Sequence, residues 1–76
     1  MPHVIVKLLV GRSEQQKTGI AAAITTAVMA TANCPEDAVS VCIEDVAPSD
    51  WTEKVYQPDI IGNAARLYKK AGYDPD

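Results

Sequence analysis

The sequence predicts an α/β (α+β) fold: a βαβ unit with two parallel strands, followed by a C-terminal helix, in a sheet that an oligomer completes. Three observations predict it. An apolar, β-branched run occupies residues 2–9, an amphipathic segment extends to about residue 32, and a run with strand alternation covers residues 39–46. A strand, a long helix and a second strand in this order form a right-handed crossover, which makes the two strands parallel.

The helix has clear start and stop signals. Gly11 and Arg12 end the first strand, and Ser13 begins S-E-Q-Q, a capping box with Gln16 as the third helical residue. The helix ends at 33–35, because the proline there cannot continue the hydrogen-bond ladder. Three- and four-residue spacing predicts one buried stripe, formed by Ile20, Ile24, Ala27, Val28 and Thr31.

The second strand alternates between two faces. Val39, Val41 and Ile43 share one face, and Cys42 and Val46 share the other. One helix covers only one face of a two-stranded sheet. The other face therefore needs a cover, most simply a second subunit.

Residues beyond the second strand are predicted to form a helical extension. A short helical turn begins at 48–50 and continues through Trp51 and Val55, and Pro58 stands where the first residue of another helix belongs. Gly72 can end that helix, and its apolar stripe consists of Ile60, Ile61, Ala64, Leu67 and Tyr68. We therefore expect one domain over 1–76, with a βαβ core at 2–51 and a helical extension at 52–76.

The chain is short enough to need support beyond its own core. It has 76 residues, close to the lower limit for an independent hydrophobic core. Cys34 and Cys42 are too few for a disulfide scaffold, and with His3 they give three N/S ligands where structural zinc needs about four. We expect no metal and no cofactor, and we expect a homo-oligomer.

Charge and hydropathy exclude several classes of function. The net charge is −3 and the pI about 4.9, with no basic stretch, so nucleic acid and acidic membranes are not expected partners. No apolar run reaches the ~18 residues of a membrane span. The first residues lack the charged region and cleavage site of a signal peptide. These features predict a cytoplasmic protein.

Pro2 is the unusual residue. Initiator methionine is normally removed before a small second residue, and its removal here would leave Pro2 with a free secondary amine. An ordinary α-amino group titrates at about 7.7–8.0, and a nearby cation or apolar surroundings lower its pKa further. Such an amine suits proton transfer at cellular pH. Many chains begin Met-Pro by chance, so Pro2 alone is a weak signal.

The context of Pro2 resembles the 4-oxalocrotonate tautomerase family. The resemblance rests on M-P followed directly by a strand and on G-R-S-x-x-Q-K opening the helix. A gap-free register then continues through Pro35 and Val39 to Ala47, with Trp51 where the family carries an aromatic residue. It covers roughly residues 2–51. Beyond them the chain is similar to a dimeric bacterial subgroup of probable tautomerases, through Trp51 and the segment K-K-x-G-Y at 69–73.

The resemblance implies a role for four residues. Pro2 would be the general base that moves a proton between carbon and oxygen. Arg12 would bind a substrate carboxylate, and Trp51 would keep the pocket apolar. Ser40 stands where the family carries a second arginine. A dicarboxylate is therefore a less suitable substrate than a monocarboxylate 2-keto acid enol such as that of phenylpyruvate. The Ser40 hydroxyl, a water or a group from a partner subunit could replace the missing donor.

Plainer interpretations stand beside these. Arg12 can be a solvated loop residue, Trp51 can fill the core or an interface, and His3, which alternation directs away from Pro2, favours packing or an interface. Alternative functions are another reaction at the same proline (a hydratase, dehalogenase or decarboxylase) and a non-catalytic oligomeric module. The chain lacks the C-terminal glycine-rich hairpin of hexameric family members, so we expect a dimer with a shared four-stranded sheet rather than a hexamer.

Overall fold

A two-stranded sheet with one long helix forms the body of the protein, as the computed structural model of residues 1–75 shows. Strand β1 spans His3–Leu9, helix α1 spans Glu14–Ala32, and strand β2 spans Ser40–Val46. The strands are parallel, with His3 opposite Ser40 and Leu9 opposite Val46. The predicted βαβ unit is therefore confirmed.

Helix α1 begins with the predicted capping box. The Gln16 backbone N–H donates to the Ser13 hydroxyl at 3.1 Å, and the Ser13 N–H donates to the Gln16 side-chain oxygen at 2.9 Å. These two bonds satisfy two of the donors that a helix start leaves free. The helix ends at Asn33, whose left-handed φ of 56° turns the chain, and the Cys34 N–H then donates to the Met29 carbonyl at 3.3 Å.

The face of α1 that is removed from solvent differs in part from the predicted stripe. Ile20, Ile24 and Val28 are half-buried as expected, whereas Ala27 and Thr31 are exposed. Ala21, Thr25 and Met29, which the predicted stripe did not include, are half-buried as well. Alanines occur all around this helix, so the spacing of its apolar residues did not fix which edge of the stripe turns inward.

One face of the sheet lies under α1. Val4, Val6, Val41 and Ile43 are half-buried and alternate with exposed neighbours along both strands. Lys17 of α1 reaches across to Asp45 of β2, with an Nζ–Oδ2 distance of 2.9 Å. Because the hydrogen bond to Asp45 raises the pKa of Lys17, this link between helix and sheet persists through the neutral pH range.

The opposite face, here called the open face, carries the other side chains of the alternation. The C-terminal segment covers part of it. Lys7 of β1 forms an ion pair with Asp59, and Trp51, Val55 and Ile60 line the same cavity as Ile5 and Lys7. Val55 is 5% exposed and is the one fully buried apolar residue in the described part of the chain.

The C-terminal helix predicted to start at Pro58 is wrong in its bounds. A 3₁₀ turn at Pro48–Asp50 leads through Trp51 into a π-helix, Thr52–Ile61, with Pro58 inside it. Only a further 3₁₀ turn, Ala64–Arg66, follows, and 67–75 contain no helix. Pro58 lacks the N–H that an i→i+5 hydrogen bond would need, yet the helix continues past it to Ile61. Asp76, the last residue of the predicted extension, lies outside the described residues.

Gly62 closes the π-helix, and its N–H donates to the Gln57 carbonyl at 2.9 Å. A Cβ at this position would overlap the Pro58 carbonyl oxygen and lie 3.2 Å from the Gln57 oxygen. Its φ of −65° suits any residue, so the need for glycine here comes from this contact and not from backbone strain.

Gly62→Ala is expected to lower the free energy of unfolding by about 1–3 kcal/mol, because the added methyl group forces the helix end to shift. Urea unfolding at fixed protein concentration measures it. Gly72→Ala is the control, since nothing lies within 4 Å of its Cβ. Both variants restrict the unfolded chain alike, so equal effects of the two would contradict the contact.

A single protomer leaves much apolar surface in solvent. Ile5 is 53%, Leu9 39% and Val10 51% exposed, and all three lie on β1 or directly after it. Strand β1 pairs with β2 along one edge, and in residues 1–75 nothing pairs with its other edge. An unpaired apolar edge of this kind is a site for strand pairing with another chain.

Candidate active site

The four predicted site residues and two of their neighbours, His3 and Leu9, fall into two groups at opposite ends of β1. Pro2, His3 and Ser40 form one group, here called the proline end. Leu9, Arg12 and Trp51 form the other, here called the arginine end. The seven residues of β1 separate the two, and at a rise of about 3.3 Å per residue this distance is roughly 23 Å.

The proline end is fixed by hydrogen bonds between the strand starts. The Ser40 backbone N–H donates to the Pro2 carbonyl at 3.2 Å. One residue further along, the His3 Nδ1 and the Ser40 hydroxyl oxygen lie 2.6 Å apart. The structure thus brings Ser40 to Pro2 and adds His3, for which the sequence favoured packing or an interface.

Pro2 itself is half-buried at the start of the sheet. In the 76-residue chain its nitrogen is an amide bonded to Met1, whose side chain is fully exposed at 104%. An amide nitrogen has no lone pair available for proton transfer. The same atom becomes a secondary amine, a donor and acceptor of protons, when Met1 is absent.

The arginine end begins at a turn that only a residue without a side chain adopts readily. Gly11 has a φ of 127°, which carries the chain from β1 to Arg12. The Arg12 guanidinium donates to the Leu9 carbonyl at 3.3 Å and is exposed. The ion pairs of Lys7, Lys17 and Lys54 do not involve it, and its exposed guanidinium has further N–H donors that an anion can reach.

Trp51 is half-buried between two cavities. A cavity of about 420 Å³ has the indole, Leu9, Pro48, Thr52, Tyr73 and Pro75 along its walls. The Trp51 Nε1–H donates to the Tyr73 hydroxyl at 2.9 Å, and the Tyr73 ring lies 5.8 Å from that of Tyr56. Tyr73 therefore anchors the indole, a role that its sequence position did not indicate.

Lys7 lies on the second of these cavities, which has a volume of about 400 Å³ and Trp51, Val55 and Ile60 in its walls. The hydrogen bond to Asp59 raises the pKa of Lys7. The amine therefore stays protonated at neutral pH and cannot serve there as a base or a nucleophile. Its role in this structure is to hold the π-helix on the open face.

Two other kinds of site are absent among residues 1–75. No three His, Cys, Asp or Glu side chains converge as metal ligands would. No helix in this part of the chain has the length and apolar character to cross a membrane.

Comparisons of this chain with known proteins all lead to one family. The model of a family described as "Tautomerase enzyme" matches residues 2–55. A probable tautomerase of Xylella fastidiosa (strain 9a5c) is 42% identical over 96% of this chain and 89% of its own length. Tautomerase PptA of Klebsiella pneumoniae (strain 342) is 39% identical over 96% of this chain and 97% of its own length.

A solved structure supports the same relationship. A chain of the heterohexameric 4-oxalocrotonate tautomerase of Chloroflexus aurantiacus J-10-fl superposes with a TM-score of 0.66 at 33% identity, over 71% of this chain and 87% of that one. The family match spans the strands, the helix and the positions of Pro2, Arg12, Ser40 and Trp51. This chain therefore belongs to the 4-oxalocrotonate tautomerase family and is a tautomerase, an isomerase of that family.

Proposed function

We propose that the protein is a cytoplasmic, cofactor-independent tautomerase that converts the enol of a monocarboxylate 2-keto acid, such as phenylpyruvate enol, to the keto form. The general base is the amine of Pro2 after removal of Met1. The observation that carries this proposal is the proline end: Pro2 directly precedes strand β1, and its carbonyl accepts a hydrogen bond from the Ser40 backbone N–H.

The reaction needs one proton carrier. The Pro2 nitrogen accepts the proton of the enol hydroxyl, and the resulting ammonium returns a proton to the carbon next to the keto group. The C=C bond becomes a C–C bond and the C–O bond becomes C=O, so atoms and charge balance. An amine whose pKa is near the working pH suits both steps.

Pro2 and Arg12 act on one substrate only if they come from different subunits. A 2-keto acid is far smaller than the roughly 23 Å between the ends of β1. Antiparallel pairing of two free β1 edges about a twofold axis places the proline end of one protomer against the arginine end of its partner. This pairing also covers part of the exposed surface of Ile5 and Leu9.

We propose the dimer with a shared four-stranded sheet as this assembly. Each of its two sites has a Pro2 from one protomer and an Arg12 and Trp51 from the other. The apolar extension beyond Pro48 occupies part of the open face, which supports the dimer over the hexamer. Light scattering that gave a hexamer would overturn this preference.

The substrate class follows from the charges available. Arg12 supplies one open guanidinium for one carboxylate. Leu9, Trp51 and Tyr73 line an apolar cavity beside it, which suits an aromatic or aliphatic tail. Position 40 has a hydroxyl and no second cation for a second carboxylate.

An ultraviolet assay of enol ketonisation tests the proposed substrate class. The kcat/KM for phenylpyruvate enol is expected to exceed that for a dicarboxylate 2-hydroxydienoate by about 10-fold or more, since a charge-assisted hydrogen bond contributes ~1.5–3 kcal/mol. Ser40→Arg is expected to shift this ratio toward the dicarboxylate by a similar factor. Cys42→Arg, with the same charge two residues further along the open face, is the control. A wild-type preference for the dicarboxylate would contradict the proposed substrate class.

A further inference from the structure

We propose that His3 is a positioning residue for this reaction: it holds the Ser40 side chain so that the Ser40 hydroxyl donates a hydrogen bond to the substrate oxygen beside Pro2. The inference rests on the proposed function and deepens it, because it assigns the group that stabilises the developing enolate.

The register of the sheet places the two side chains together. His3 and Ser40 are directly opposite each other on parallel strands, and both side chains lie on the open face. The His3 Nδ1 and the Ser40 oxygen are 2.6 Å apart, a short distance for such a pair. Ser40 is also the residue whose N–H fixes the Pro2 carbonyl. The hydroxyl is thus tied to the same strand start as the proposed base.

The direction of the His3–Ser40 hydrogen bond decides what the hydroxyl can do. If Ser40 donates to His3, its single proton is used and the oxygen can only accept. If His3 Nδ1–H donates to Ser40, the hydroxyl proton is free for a substrate oxygen. Negative charge on that oxygen favours the second direction, because each donor in the chain then points toward the anion.

Other donors near Pro2 are committed elsewhere. Lys7 is on the same face of β1, but its ammonium forms the ion pair with Asp59. Arg12 of the same protomer is at the other end of the strand, and in the proposed dimer the Arg12 from the other protomer binds the substrate carboxylate. His3 and Ser40 are both exposed in the protomer, so a small substrate can reach the hydroxyl.

A double-mutant cycle measures the proposed dependence of His3 on Ser40. Ser40→Ala is expected to lower kcat by about 10- to 100-fold, somewhat less than the 10²–10³ of an enclosed oxyanion donor. His3→Phe is expected to lower kcat about 10-fold with little change in KM. In the Ser40→Ala background, His3→Phe is expected to lower kcat by less than about 2-fold. His3→Asn, whose amide can donate to Ser40, is expected to recover part of the loss.

The inference would be overturned if the losses in kcat of His3→Phe and Ser40→Ala multiplied in the double variant. An unchanged kcat in Ser40→Ala would also overturn it. Cys42→Ala is the matched control, since it shortens a side chain on the same face of β2 two residues further along. Pro2→Ala is assayed beside these variants. If Pro2→Ala keeps full activity, the proposed function fails; if it loses activity while His3→Phe does not, only the present inference fails.

A spectroscopic measurement needs no substrate. Nitrogen-15 NMR of the neutral His3 ring is expected to show the proton on Nδ1 in the wild type and on Nε2 in Ser40→Ala. A wild-type ring with an unprotonated Nδ1 would contradict the proposal, because the Ser40 hydroxyl would then be donating to His3.

Discussion

Acylating the Pro2 nitrogen is expected to lower kcat for enol ketonisation by about 10³–10⁴-fold, the upper part of the range for general-base catalysis. A non-cleavable N-terminal extension makes this change, because it keeps the nitrogen an amide. Pro2→Ala is expected to lose less, about 10²-fold, since alanine leaves a primary amine without the ring that fixes its direction. The difference between the two losses separates the effect of the amine's basicity from the effect of its fixed direction.

The controls follow from the same chemistry. A matched extension with a protease site directly before Pro2 is expected to regain activity on cleavage, because cleavage regenerates the secondary amine without changing the rest of the chain. Pro35→Ala, at an exposed proline just before the 3₁₀ turn at Glu36–Ala38, is expected to leave kcat within about 2-fold. Full activity in the acylated protein would show that Pro2 is not the base.

Replacing Arg12 with alanine is the second large effect we expect. The variant is expected to lose about 10- to 100-fold in kcat/KM, mostly through a higher KM, because a charge-assisted bond of ~1.5–3 kcal/mol to the carboxylate is removed. Arg12→Lys keeps the charge but lacks the planar fork of donors. Its kcat/KM is therefore expected to lie between those of Arg12→Ala and the wild type. Arg66→Ala removes an exposed arginine that donates to Asn63 instead, and is the matched control.

Mixing the two impaired variants tests whether Pro2 and Arg12 meet across a subunit interface. Pro2→Ala and Arg12→Ala chains, unfolded and refolded together in equal amounts, combine at random. Each site needs an intact Pro2 from one protomer and an intact Arg12 from its partner, so about a quarter of the wild-type activity is expected to return. No recovery would place both residues in one protomer and would contradict the two-subunit site.

Much of the βαβ unit could be predicted because its signals are local. The capping box at Ser13 and Gln16 needs only four consecutive residues, and the structure confirms both of its hydrogen bonds. The C-terminal region could not be predicted in the same way. Proline is common at the start of a helix, yet Pro58 lies inside a π-helix whose end depends on the fit of Gly62 against the Pro58 carbonyl. Such a contact is not visible in spacing.

The family resemblance proposes the members of the candidate site but does not give their arrangement. Pro2, Arg12, Ser40 and Trp51 follow from the family resemblance, but their separation into two ends follows from the length of β1. The His3–Ser40 pair could have been predicted, because a parallel register over the two predicted strands sets those residues opposite each other. The Tyr73 bond to Trp51 joins residues 22 apart through an irregular segment, and no sequence pattern indicates it.

A nitrogen-15 NMR titration of Pro2 tests the central claim most directly, after intact mass has shown that Met1 is absent. We expect a pKa below the ~7.7–8.0 of an ordinary α-amine, because the arginine that the proposed dimer sets beside the Pro2 amine disfavours its charged form. A pKa well above 8 would mean that Pro2 is protonated at neutral pH, which would contradict its role as the base and favour a general-acid reaction.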